Sequence, residues 1–448
     1  MKLHKPVPPL LREVQALASL GIVQLFWQAL LTGCFAALVI GAFRFAYTWV
    51  GLFLRRLVAE HDLSSPHACV VLVFLLLVAC ICSARLLRHE PLIGGSGIPQ
   101  VELMLAGRLP LMAWARVLFA KFIGTLISLS SGLSLGREGP CIMMGACAGL
   151  GVRHLLHEKH RQSTGRFLIG GSVAGMTAAF GAPLAGLFFA FEEMRIALTL
   201  PLLLFCGITC ACAYAVIHWL LGFGLVFPFT AVGALHLTQY WIVLPMGISL
   251  GLLGAFYNSL LIRLTLFLDR FPVSCFQRLL PVFALSGLLL LFFPHILTNF
   301  GLAVLDLPKL TLSLLVLVLC AKIFFSAISF ASGASGGILM PMLMAGALFG
   351  SVASHLLLAW GVISPNQADL PLILGMAGLF AATVRAPLTG SALLLEMTGT
   401  PEFAPALLVT ALLAVYVANA MHSEPVYDSL KRRLMANGKS GQKSEKSE

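Results

Sequence analysis

The stretch SLGREGPCIMMGACAGLG, residues 134–151, decides how this chain is read. It sets Arg137 and Glu138 inside a run otherwise built from Gly, Ala, Met, Cys, Leu, Ile, Pro and Ser. A charged pair is expensive in hydrocarbon, and one that persists there marks a functional site. The rest of the chain makes hydrocarbon the expected surroundings. Of 448 residues, 59% are hydrophobic and 10% are charged, where soluble domains carry roughly a quarter charged residues. Too little polar surface is present to cover a water-soluble globule. Apolar runs at 21–54, 67–84, 198–222, 240–268, 279–295 and 310–330 approach or exceed the roughly 20 residues of a spanning helix. The expected class is an all-α, multi-pass integral membrane protein.

The formal net charge is +11, and much of it is terminal. Lys2, Lys5 and Arg12 stand at one end, and Lys431, Arg432, Arg433, Lys439, Lys443 and Lys446 at the other. Cytoplasmic flanks carry the excess of Lys and Arg, so both termini are expected in the cytoplasm of a cell (bacterial inner) membrane; Arg55 and Arg56 after the first run are a counter-signal. The basic residues flank spans and do not form one face, so no nucleic-acid partner is expected. No cleavable leader is read from the proline-broken start, and residues 10–17 are expected to form a short amphipathic helix on the membrane surface. The eleven cysteines are scattered through apolar runs and read as small buried hydrophobes. No metal site and no cofactor are expected.

The chain repeats itself. PCIMMGACAG (140–149) aligns with PMLMAGALFG (341–350), an offset of 201. GMTAAFGAPLAGLFFAFEEM (175–194) aligns with GLFAATVRAPLTGSALLLEMT (378–398) at an offset of 204, anchored on Ala-Pro-Leu. GAFRFA (41–46) echoes GAFYNS (254–259) at an offset of 213. Two related halves, 21–225 and 226–427, are therefore expected around a central site, between a cytoplasmic segment 1–20 and a polar cytoplasmic tail 428–448 that reads as disordered. The alignment leaves open whether the halves are parallel or inverted. Under it Glu192 falls on Glu396 and reads as structural, whereas Glu193 falls on Met397 and belongs to the first half alone.

Three glycine-rich segments precede helical runs: GGSGIP (94–99), GREGP (136–140) and SGASGGILMP (332–341). Each offers bare backbone N–H groups at a helix start, where partial positive charge and unsatisfied donors attract anions. No lysine-bearing P-loop is present, so a nucleotide phosphate is not indicated. A small anion held by amides without a full counter-charge can also leave quickly, as conduction requires. Glu138 stands within one of these segments. A carboxylate is itself an anion and can fill such a site when ionised and leave it when protonated; burial and nearby amides act on its proton affinity in opposite senses.

In the order GSGIPQ (95–100), GREGP (136–140), APLAGLFFAFEEM (182–194), GASGGILMP (333–341), RAPLTG (385–390) and EPVYDSL (424–430), the chain resembles the CLC family of chloride channels and chloride/proton exchangers over residues 20–430. The resemblance implies an inverted repeat of tilted, partly broken helices and a homodimer in membrane lipid with one pathway per subunit. It also implies central chloride held by Ser96, Tyr427 and the amides of Ile338 and Leu339. A serine at the position of Ser96 goes with chloride in that family, and a proline with nitrate. Glu138 matches the external gating glutamate, and Glu193 the internal proton-transfer glutamate of the exchangers. Glu102 and Lys121 match ionisable positions, which either tune proton entry or pair with neighbours. Arg137 reads as structural, its charge directed to water or to a carbonyl. Two departures stand out: Gln100 replaces a glutamate common in bacterial exchangers, and Leu339 a phenylalanine.

The expected function is proton-coupled chloride antiport; the alternative is a passive chloride channel of the same fold. An intramembrane enzyme would need a nucleophile–base pair or metal cluster within the spans, yet His154, His157 and His160 fall near loops, so no enzyme is expected. A cation-coupled carrier of organic solutes would want more intramembrane carboxylates than the chain has.

Overall fold

A computed structural model of the chain describes residues 21–60, 66–158, 163–196, 199–229, 237–292, 304 and 307–444. The amphipathic helix expected at 10–17 lies outside them. The first half comprises α1 (Ile22–Glu60), α2 (Pro66–His89), α3 (Ile98–Leu105), α4 (Trp114–Ser130), α5 (Glu138–Leu155), α6 (Thr164–Phe180), α7 (Pro183–Glu192) and α8 (Leu200–Ala215). The second comprises α9 (Val243–Asp269), α10 (Cys275–Phe292), α11 (Leu312–Ala331), α12 (Leu339–Ala359), α13 (Leu370–Val384), α14 (Pro387–Thr398) and α15 (Ala404–Ala420), followed by α16 (Val426–Ser444). Among the described residues, eight helices are long and apolar enough to cross a membrane. No strand is found there, only two isolated bridges between loops.

The partly broken helices that the resemblance implies include α3, α7 and α14, of 8, 10 and 12 residues. At about 1.5 Å per residue none can span a hydrocarbon core of about 30 Å. Proline occupies the first turn of each, where a missing N–H costs nothing. Pro140 and Pro341 take the third position of α5 and α12 in the same way.

Small residues let the long helices approach closely, as membrane packing requires where no hydrophobic effect separates helix from lipid. Gly145 of α5 faces α6 so tightly that a Cβ there would lie 2.2 Å from the carbonyl oxygen of Gly171. The equivalent Gly346 of α12 meets the Gly375 oxygen of α13 at 2.4 Å on the same test. The obstructing atoms are backbone in both cases. Gly145→Ala is therefore expected to destabilise the protein by about 1–3 kcal/mol, the cost of overpacking a core. The readout is a lower unfolding midpoint in detergent; an unchanged midpoint would contradict this packing.

The halves meet through matched contacts. Glu192, at the end of α7, accepts hydrogen bonds from the N–H groups of Leu388 (2.9 Å) and Thr389 (2.7 Å) at the start of α14. Glu396, near the end of α14, accepts from Leu184 and Ala185 at the start of α7, both at 2.9 Å. Each carboxylate caps the other helix and lies at its positive end, a contribution of about 1 kcal/mol apiece. Equivalent helices thus run antiparallel, which makes the repeat inverted and gives Glu192 the structural role expected of it. Lys121 and Lys322, 201 residues apart in sequence, are also equivalent, and both are fully buried.

The tail departs from expectation. Its composition reads as disordered, yet residues 426–444 form α16. Val426, Tyr427 and Leu430 are buried, and ion pairs fasten the polar face. Arg433 reaches Asp269 at the end of α9 (2.8 Å). Asp269 also binds Arg278 of α10 (2.8 Å), whose guanidinium donates to the terminal α11 carbonyl of Ala331 (2.7 Å).

Candidate functional site

The three glycine-rich loops converge. Gly95 N–H donates to the Ala334 carbonyl (3.2 Å), and Gly336 N–H donates to the Gly95 carbonyl (3.0 Å). Gly136 and Gly337, equivalent under the repeat, exchange two hydrogen bonds of 2.7 Å. Behind this seam, the Cα of Gly139 lies so close to Ser96 that an added Cβ would fall 2.7 Å from the serine's own Cβ.

Helices α3, α5 and α12 begin here, and none has a side-chain cap. Their first-turn amides have no partner within their own helix, so they are free to face an anion. Ser96 is buried, and its Oγ has no protein partner. Ile338 and Leu339 are buried at the start of α12. Tyr427, in the first turn of α16, is buried and lies within electrostatic range of Glu138 and Glu193. All six site residues expected from sequence are therefore buried around one central region of the fold.

Glu138 is completely buried at the first position of α5. Its carboxylate faces the N–H groups of Arg137, of Glu138 itself and of Met340, the last at 3.4 Å. The other oxygen, Oε1, has no partner. Gly136 makes room for this seat: a Cβ there would lie 2.0 Å from Glu138 Oε2. Arg137 is half-buried, its Nε unpartnered and its charge within range of Glu138 and of Arg44. Arg44 is tied down by the Ala178 carbonyl (3.0 Å) and stacks over Phe223 (3.9 Å).

The loop that carries Ser96 is clamped from behind. Lys121 donates to the carbonyls of Ile93 (2.7 Å) and Gly95 (2.6 Å). Gln100 donates to those of Gly94 (2.8 Å) and Leu92 (3.3 Å). Four successive carbonyl oxygens are thereby satisfied by side chains. A carboxylate in place of Gln100 would offer no such N–H, which gives that departure a local role. Lys121 pairs with these carbonyls and not with Glu102.

Glu193 is the C-cap of α7, one residue past its last turn, and is buried. Around it stand Glu102 of α3, Lys431 and Asp428 of α16, and Arg195, two residues further along. Lys431 bonds Glu102, and it lies 2.8 Å from Asp428. Asp428 in turn binds Arg195 at 2.6 Å. Sequence reading named Glu102 but missed Lys431, Asp428 and Arg195, because nothing local marks a contact across 329 residues between Glu102 and Lys431.

Comparison with known proteins places this architecture. The family model described as voltage gated chloride channel matches residues 78–419. The chain is 34% identical over 363 residues to an H(+)/Cl(-) exchange transporter ClcA of Vibrio cholerae, covering 79% of this chain and 77% of that protein. It is 33% identical over 365 residues to a ClcA of Yersinia pestis, covering 78% and 74% respectively. The solved structure of a slow cyanobacterial Cl-/H+ antiporter superimposes with a TM-score of 0.86 at 30% identity, over 93% of this chain and 99% of that one. With its inverted halves, its convergent glycine-rich loops and a family match across most of its length, the chain belongs to the voltage-gated chloride channel (CLC) family.

Proposed function

We propose that this protein exchanges chloride for protons across the cell membrane. The observation that carries the reading is the seat of Glu138: a buried carboxylate resting on helix-start amides, in the cradle that also holds Ser96. When ionised it fills the outer anion position; when protonated it loses that attraction and leaves, and chloride takes its place. Ser96, Tyr427 and the amides of Ile338 and Leu339 hold chloride at the centre. Glu193 receives protons from the cytoplasm and passes them toward Glu138. Competition for one seat links the two ions. The relatives named as exchange transporters support the reading, as does the presence of both glutamates.

The basic terminal segments favour cytoplasmic termini. The protein works as a homodimer with one pathway per subunit, and the apolar outward residues of α7, α8, α14 and α15 (Leu184, Leu204, Leu388, Leu412) suit burial against a second copy. The test of function uses purified protein in liposomes. An imposed chloride gradient is expected to drive protons against their own gradient. Chloride flux without proton movement would instead assign the passive channel.

A further inference from the structure

Resting on the antiport reading, we propose that Lys431 is a positioning residue for proton entry: by engaging Glu102 it reserves the incoming proton for Glu193. Glu102 and Glu193 are both buried, with 8% and 7% of their surface exposed. They come from different elements, α3 and the end of α7, and lie within electrostatic range of each other. Two neighbouring buried carboxylates do not both stay ionised unless a cation compensates one of them. When they share a proton, their titration belongs to the pair.

The charges of Lys431 and Arg195 reach Glu193 as well, but Lys431 makes its direct bond to Glu102 alone of the pair. Lys431 Nζ bonds Glu102 and also reaches Asp428 (2.8 Å). Asp428 binds Arg195 (2.6 Å), whose side chain is 60% exposed. The result is an alternating row, Glu102, Lys431, Asp428, Arg195, running from the interior to water and drawn from three elements. Glu193 stands beside that row but accepts no hydrogen bond from it. Tyr427, a neutral phenol, also lies within range of Glu193.

The row is self-consistent at its exposed end. Burial alone would lift the Asp428 carboxyl, but hydrogen bonds from Lys431 and Arg195 outweigh it and hold Asp428 below the usual carboxylate range. Burial alone would lower the Lys431 ammonium, but the charge of Glu102 and the bond to Asp428 raise it above the usual lysine range. Lys431 therefore stays charged at the pH of the cytoplasm, and Glu102 keeps its partner. Glu102 has a bonded cation that Glu193 lacks, so Glu193 is the member of the pair that takes up and releases the proton.

The test compares wild type, Lys431→Met, Lys431→Arg and the double variant Glu102→Gln/Lys431→Met in liposomes, with pH varied on one side at a time. Removing the cation leaves the carboxylate pair with a higher affinity for protons. In Lys431→Met the dependence of proton flux on internal pH is expected to move to higher pH by about one unit, with fewer protons moved per chloride. The external pH dependence stays as in wild type. Lys431→Arg keeps the wild-type profile, and the double variant, which has no unpaired carboxylate competing for the proton, returns to it. A merely structural role for Lys431 would not move one side's pH profile, nor be rescued by deleting Glu102. An unchanged internal profile in a coupled Lys431→Met protein, or a change that Glu102→Gln does not reverse, overturns the proposal while leaving antiport intact. A wild-type protein that moves no protons overturns both.

Discussion

Glu138→Ala is expected to abolish chloride-driven proton movement while chloride continues to flow. The expectation follows from what occupies the outer seat. Glu138 is completely buried, its carboxylate faces three backbone N–H groups, Oε2 accepts from that of Met340, and Oε1 has no partner. Removing the carboxylate leaves those N–H groups for chloride, so the anion path persists and the only titrating group at that position is lost. Proton flux in liposomes should fall by about 100-fold or more, in line with removal of an essential acid–base group, to the level of protein-free vesicles. Chloride efflux should remain within about tenfold of wild type on the same scale. Retained coupling would show that some other group carries the proton across the outer half of the path.

Gly136→Ala tests the seat and not the group. The added methyl would lie 2.0 Å from Glu138 Oε2 and 3.0 Å from the Met340 nitrogen. The carboxylate is the far end of a flexible side chain, so it is the atom that yields. Moving it to another rotamer costs about 0.5–1.5 kcal/mol if the new χ is off its minimum, too little to unfold the protein. The variant should fold and conduct chloride, with a chemically intact Glu138 that no longer closes the site. Proton coupling should drop by at least about tenfold, the effect of roughly 1.4 kcal/mol lost from the seated state. Wild-type stoichiometry in Gly136→Ala would mean that coupling does not depend on this resting place.

How much of this was legible beforehand differs from residue to residue. Glu192 and Glu193 are adjacent and chemically identical, yet the internal alignment separated them: one had a counterpart and the other did not. The counterpart proved to be its reciprocal cap, with Glu192 bonded to α14 and Glu396 to α7. The same alignment places Lys322 opposite Lys121, a signal present in the sequence and passed over, because a single lysine in an apolar run reads as an anomaly until its double is noticed. The tail was misread for a physical reason. SLKRRLMANGKSGQKS has the composition of a solvated segment, and the groups that order it, Glu102 and Asp269, lie far away in the chain. Gln100 was visible as a departure, but only the fold shows that its amide N–H supplies two carbonyls of the Ser96 loop.

The seam between the loops bears on how the protein can move. Many carriers with inverted halves rock one half against the other. Here four backbone hydrogen bonds stitch the halves together at their centre, between Gly95 and Ala334, Gly336 and Gly95, and twice between Gly136 and Gly337. Parting them in a dry interior would strand donors and acceptors at about 1–3 kcal/mol each, or about 4–12 kcal/mol for the set. Swinging one glutamate between rotamers costs about a tenth of the upper figure. A turnover cycle that opened the seam would be slower by about two to eight powers of ten than one that moved a side chain past it. The scaffold is thus better described as a fixed frame around a small moving bolt than as two shells that open alternately.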